Sequence, residues 1–171
     1  MAILDAHVRE VKDWACLKQA MRWAADPVIE GAYWAGYAGV EDLNERRLRD
    51  AEVLGGVCAN ARGSLLLEIG TGHGVGTALM ARNAPQAVIY TVNIPPEEIR
   101  EGGVMTTGAL TRDEIGRCYR EQGCTRVKQI FANTRDWTPD FGPIDVAFVD
   151  GCHDTAFVIN DTLKALASHR G

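Results

Sequence analysis

The pattern of apolar and polar positions divides the chain near residue 60. Before that point, an apolar stripe at spacings of four, three and four predicts a helix that Pro27 either ends or bends. The stripe consists of Leu4, Val8, Val11 and Ala15. A second helix is predicted over residues 42–61, and the small and aromatic residues 31–39 between the helices form either a packed loop or a wall over a ligand. We therefore expect a helical cap region over residues 1–60.

After residue 60, short apolar runs alternate with helical segments. Strands are predicted over residues 65–69, 87–92, 126–131 and 145–149, and helices over residues 75–83, 112–122 and 155–168. Thr111 and Glu114 form a capping box for the middle helix, and Gly123 ends it. The last helix offers apolar cover through Phe157, Val158, Leu163 and Leu166. Such alternation predicts an α/β domain over residues 61–171, with a doubly wound, mostly parallel sheet.

Composition and charge narrow the class of protein. A chain of 171 residues with 46% hydrophobic residues suits one globular domain. The net charge of −5 argues against a nucleic-acid partner, which usually requires a basic surface. Five cysteines without a C-x-x-C pair argue against a disulfide framework or a zinc ribbon. Because there is no signal peptide and no apolar run of about 20 residues, we expect a soluble cytoplasmic protein without membrane contact.

The most informative segment is the glycine-rich stretch that follows the first predicted strand. Its spacing fails the dinucleotide fingerprint G-x-G-x-x-G/A, because the sixth position is Val75 counted from Gly70 and Thr77 counted from Gly72. The remaining pattern, E-x-G-x-G-x-G, resembles the first motif of the class I S-adenosylmethionine-dependent methyltransferases, and the rival interpretation is a tight structural turn. The resemblance implies a cofactor contact for Glu68, Gly70, Thr71, Gly72, His73 and Gly74.

The resemblance extends to the ends of the next two strands. It implies that Asn93 and Ile94 face the ribose, although the family usually has an acid where this chain has Asn93. Asn133 and Thr134 would flank the adenine; their alternative role is to cap a loop. For His73, the alternative to a cofactor contact is an exposed loop residue.

The fourth predicted strand runs into Asp150, Gly151 and His153. This segment resembles the D-G-x-H signature of a methyltransferase subgroup that includes sugar and macrolide O-methyltransferases and cephalosporin-hydroxylase-like proteins. His153 is then a candidate general base, or else a hydrogen-bonded residue at the strand end. Asp150 is a catalytic candidate that either holds a divalent metal such as Mg²⁺ or contacts the cofactor or acceptor directly. Asp154 is either a supporting group or a helix N-cap.

These residues together predict an S-adenosylmethionine-dependent methyltransferase that acts on a hydroxyl of a small molecule. The alternatives are a non-catalytic cofactor-binding or assembly module of the same fold and, with less support, a nucleotide-dependent oxidoreductase. The resemblance covers about residues 60–168 and ends after the fourth of the family's seven strands. We therefore expect a Rossmann-like sheet that is truncated after the fourth strand. The exposed edge of that strand could pair with a second copy of the chain, so a homo-oligomer is one possible state.

Overall fold

A computed structural model describes residues 10–29, 41–99 and 110–169 of the chain. Within these ranges the helices are α1 (Trp14–Met21), α2 (Glu41–Asn60), α3 (Val75–Asn83), α4 (Arg117–Glu121) and α5 (Thr155–Ala167). The strands are β1 (Leu65–Ile69), β2 (Val88–Asn93), β3 (Val127–Phe131) and β4 (Val146–Val149), and Pro96–Glu98 forms a 3₁₀ turn. The predicted loop 31–39 and the positions Leu4 and Val8 lie outside the described residues.

The four described strands form a parallel sheet in the order β3-β2-β1-β4. Successive β1 residues face opposite sides of this sheet. Leu66 packs with Met80 and Ile89 on one side, while Leu67 packs with Ile144 on the other. Each cluster is almost fully removed from water, so the sheet is covered on both faces. The predicted α/β class and doubly wound parallel sheet are confirmed.

Two predicted helices differ from the structure in extent. The stripe before Pro27 was predicted as one helix, but α1 begins only after the N-cap Asp13 and ends where Arg22 adopts a left-handed φ of 54°. Thr111 and Glu114 do form the capping box, with the Thr111 N–H donating to Oε2 at 2.9 Å. The chain after them is a turn rather than a helix, because Gly116 takes a φ of 74° and α4 starts only after it.

The last helix turns a different face to the sheet from the one predicted. Val158, Leu163 and Leu166 are 41%, 60% and 64% exposed. The buried α5 residues are instead Asp161 and Ala165. The predicted apolar cover by these three side chains is therefore wrong. No helix within the described ranges combines the length and apolar character that crossing a bilayer requires.

Candidate functional site

The glycine-rich turn after β1 lies at the carboxyl edge of the sheet, where all four strands end. Gly70, Gly72 and Gly74 have φ values of 103°, 50° and 82°, which side-chain-bearing residues rarely adopt. The Gly70 N–H donates to the Val92 carbonyl at 2.8 Å. A Cβ on Gly70 would collide with the backbone carbonyl of Asp150. The turn therefore needs glycine in order to pass between the ends of β2 and β4.

Gly72 is the open point of this turn. A Cβ placed on it would meet no atom within 4 Å, so the backbone there faces free space. Gly74 is different, because its Cβ would come within 2.8 Å of both Gly116 and Tyr119. Gly72 is thus shaped for close approach of a ligand, whereas Gly74 serves the packing of α4.

Glu68 lies beneath the turn and is only 1% exposed. Its Oε2 accepts hydrogen bonds from the hydroxyls of Thr77 and Thr91, the latter at 2.6 Å. The pKa of this carboxyl is raised from 4.5 to about 7, chiefly by burial and to a smaller extent by the charge of Asp150, against the lowering effect of the two threonine hydrogen bonds. The acid of the E-x-G motif therefore also supports the strand ends from below.

Thr71 joins the same network. Its hydroxyl lies 2.7 Å from the Thr91 hydroxyl and accepts from Gln129 Nε2 at 3.0 Å. Tyr119 in turn donates to Gln129 Oε1 at 3.1 Å. This hydrogen-bonded chain runs from α4 through β3 and β2 to Glu68, and no sequence pattern indicates Gln129 as a member.

Asn93 is bonded to the turn itself. Its Oδ1 accepts from the Gly72 N–H at 3.1 Å, and its Nδ2 donates to the Ile94 carbonyl at 2.9 Å. One Nδ2 hydrogen is left for another acceptor, since an amide has two. The ribose contact predicted for Asn93 and Ile94 remains a prediction.

Asn133 and Thr134 follow β3 in a tight loop. The Asn133 Oδ1 accepts from the Arg135 N–H at 3.1 Å, and its carbonyl accepts from the N–H groups of Asp136 and Trp137, each at 3.0 Å. Asn133 therefore caps this loop, which is the alternative role predicted for it. The adenine contact predicted for Asn133 and Thr134 remains untested.

Asp150 and His153 form a pair after β4. His153 Nε2 lies 3.3 Å from Asp150 Oδ1, with 61% and 57% of the respective side chains exposed. Asp154 is the N-cap of α5 and accepts from the Ala156 N–H at 2.9 Å, which settles its role in favour of the cap. The catalytic roles of Asp150 and His153 remain predictions.

One cleft of about 2180 Å³ joins these elements. All the predicted site residues except Gly74 line it, including His73, whose side chain is exposed. The cleft also contains residues that sequence reasoning missed, among them Asp50 and Val57 of α2 and Phe157 of α5. Sequence periodicity gives no signal for them, because it does not report which helix face borders a cleft.

A divalent metal does not fit the described residues. Among them, no group of three or more His, Cys, Asp or Glu side chains converges closely enough to hold an ion. Mg²⁺ prefers six oxygen ligands, whereas the side chain that pairs with the Asp150 carboxylate within the described ranges is His153, which offers nitrogen. We therefore derive no step that passes through a metal.

A comparison with protein families decides the assignment of this fold. A family model described as a methyltransferase domain matches residues 67–170, which include the glycine turn and the Asp150–His153 pair. The chain belongs to this methyltransferase domain family. The family confirms the predicted resemblance at this level, while the narrower D-G-x-H subgroup remains a prediction.

Solved structures give a second comparison. An O-methyltransferase family protein from Burkholderia thailandensis is similar over 92% of this chain and 46% of its own, with 19% identity and a TM-score of 0.52. A cofactor-bound protein from MTB is similar over 99% of this chain and 66% of its own, with 22% identity and a TM-score of 0.49. The chain thus spans less than two thirds of the length of either protein. A search of curated proteins finds no match.

Proposed function

We propose that this chain binds S-adenosylmethionine and transfers its methyl group to a hydroxyl oxygen of a small molecule. The observation that carries the proposal is one cleft in which an open glycine turn and a histidine–carboxylate pair both lie at the carboxyl edge of a parallel sheet. Ligands of doubly wound sheets bind at this edge. Membership of the methyltransferase domain family narrows the ligand to a methyl donor.

The residues of the turn fit such a donor. Gly72 offers backbone at close range, and the spare Nδ2 hydrogen of Asn93 suits a ribose hydroxyl as acceptor. When bound, S-adenosylmethionine supplies a methyl group on a positively charged sulfur, and its C–S bond breaks as the bond from the acceptor oxygen to carbon forms. The task of the protein is then to align the acceptor and to remove its proton.

We propose that His153 takes that proton. The Asp150 carboxylate can only accept, so the hydrogen of the pair lies on His153 Nε2 and the lone pair lies on Nδ1. Nδ1 receives the hydroxyl proton, and the Asp150 charge stabilises the imidazolium that results. The acceptor is bounded by α2, which lines the same cleft with Asp50 and Val57.

The cofactor is tested by calorimetric titration with S-adenosylmethionine, S-adenosylhomocysteine and NADH. We expect both sulfur nucleosides to bind and NADH not to bind. Gly72→Ala should abolish this binding, because its Cβ would occupy the space left for the ligand. Gly123→Ala is the matched control, since Gly123 also has a positive φ, 69°, and open space around its Cβ. NADH binding without the methyl donor would overturn the proposal.

The base is tested by transfer of a labelled methyl group to a panel of phenols, catechols and sugars. His153→Gln should lower kcat by about 10²- to 10⁴-fold and leave the affinity for S-adenosylmethionine unchanged. His169→Gln is the matched control, because His169 is exposed and lies outside the cleft-lining residues.

A non-catalytic cofactor-binding module is the second candidate. It is favoured by Asn93, whose amide bonds to the turn where the family usually has an acid. Tight binding of S-adenosylmethionine without methyl transfer to any member of the panel would support this alternative. The nucleotide-dependent oxidoreductase has no comparable observation in its favour.

A further inference from the structure

We infer that Lys164 of α5 is a positioning residue that holds the cofactor-side loop in its binding geometry. This loop, residues 132–137, is called here the β3 exit loop. The inference rests on the proposed function, because the loop matters for binding only if a nucleoside lies against it. Lys164 itself is not among the residues that line the cleft.

The contacts of Lys164 are concentrated on this loop. Its Nζ donates to the Trp137 carbonyl at 2.6 Å, the Arg135 carbonyl at 3.0 Å and the Thr134 carbonyl. An ammonium group has three hydrogens, so these three carbonyls use all of them. Asn160, one helical turn earlier, adds a fourth bond, from Nδ2 to the Thr134 carbonyl at 3.1 Å.

The loop presents its carbonyls to Lys164 because of its own hydrogen bonds. The Asn133 carbonyl accepts from the N–H groups of Asp136 and Trp137, which winds the loop into a single turn. The carbonyls of such a turn point the same way and carry partial negative charge. A cation that binds them replaces water, and bonds from a charged donor are about twice as strong as neutral ones.

The opposite side of the loop faces the cleft. Ala132, Asn133, Thr134 and Arg135 all line it, so the position of the loop sets the wall where the adenine is proposed to lie. Helix α5 begins at the Asp154 cap, directly after His153. Helix α5 therefore connects the proposed base, which precedes its first turn, with Lys164, which lies two to three turns later. The contacts of Lys164 with the β3 exit loop are called here the clamp.

The decisive variant is Lys164→Met, which keeps the length of the side chain but has no hydrogen to donate. We expect it to weaken the binding of S-adenosylmethionine, S-adenosylhomocysteine and methylthioadenosine alike, each by about tenfold, because part of the binding free energy must then order the β3 exit loop, at a cost of the size of one charged hydrogen bond. Lys164→Arg should recover part of this affinity, because a guanidinium also donates to several carbonyls. Lys128→Met is the matched control, since Lys128 is exposed and lies outside the cleft.

Hydrogen exchange separates positioning from general loss of structure. In Lys164→Met, the amides of Asp136 and Trp137 should exchange faster, while those of Leu66 and Leu67 in the central strand should keep their rates. Unchanged affinity for all three ligands in Lys164→Met would overturn the inference and leave the proposed function standing. If the unaltered protein binds none of the ligands, the proposed function fails, and unchanged exchange at Asp136 and Trp137 would then refute the clamp as well.

Discussion

Replacing Glu68 by glutamine should stabilise the protein at alkaline pH. Glu68 is 1% exposed, and burial raises its pKa from 4.5 to about 7. Between these two pH values the folded protein keeps a proton that the unfolded chain releases. The free energy of unfolding therefore falls as the pH rises from 4.5 to 7, because the folded state binds more protons than the unfolded state.

The size of this effect follows from the two pKa values. Each pKa unit corresponds to about 1.36 kcal/mol, so the ionised carboxylate at pH 8 costs up to about 3 kcal/mol. Glutamine has nearly the same shape, and its carbonyl oxygen can still accept from Thr77 and Thr91. We therefore expect Glu68→Gln to gain up to about 3 kcal/mol over the unaltered protein at pH 8 and little or nothing at pH 4.5.

Urea unfolding at several pH values between 4.5 and 8 measures this difference. The contributions of titrating groups that do not interact with Glu68 cancel when the two proteins are compared at the same pH. Glu98→Gln is the matched control, because Glu98 is exposed, and its difference should be flat across the range. A Glu68→Gln difference that does not change with pH would refute the reasoning that burial raises this pKa.

Three further substitutions test the packing of the glycine turn and of the N-terminal segment by urea unfolding. Gly70→Ala should cost more than about 3 kcal/mol, because φ is 103° and the new Cβ would overlap the Asp150 carbonyl. Gly72→Ala should cost only about 1 kcal/mol, since its Cβ meets nothing, and equal losses would contradict this reading of the turn. Asn60→Leu should lower the free energy of unfolding by about 2 to 3 kcal/mol, because the Asn60 side chain bonds to the backbone of Ala24, Ala25 and Gly56. A decrease of less than about 0.5 kcal/mol would show that these bonds do not hold the N-terminal segment.

The strands were predictable because their signal is local. The run 65–69 coincides with β1. The predicted strands 126–131 and 145–149 each begin one residue before the observed strand, and the predicted strand 87–92 is shifted by one residue from β2. Leu66 and Leu67 are both fully buried, which a continuous apolar run of this kind indicates for a strand covered on both faces. The glycine turn was predictable for the same reason, since its residues are consecutive in the chain.

The face of α5 was not predictable from its own sequence. Apolar positions normally indicate the buried face of a helix, yet Asp161 is 1% exposed and Leu163 is 60% exposed. Asp161 accepts from Asn160, and Lys164 is held by the β3 exit loop, so both polar groups have partners on the inner side. The carbonyls that Lys164 binds belong to residues about thirty positions earlier in the chain, so the local sequence of α5 gives no indication of them.

The asparagine at position 93 illustrates how a departure from a motif acquires a physical reason. A carboxylate there could accept from the Gly72 N–H, as Asn93 Oδ1 does, but it could not donate to the Ile94 carbonyl. It would instead place a negative charge beside that carbonyl oxygen. The amide satisfies both neighbours and still has one hydrogen to offer. Asn93 therefore ties the glycine turn to the end of β2. The hydrogen bond fixes the distance between these two segments, and a ligand that contacts both meets them in a constant relative position.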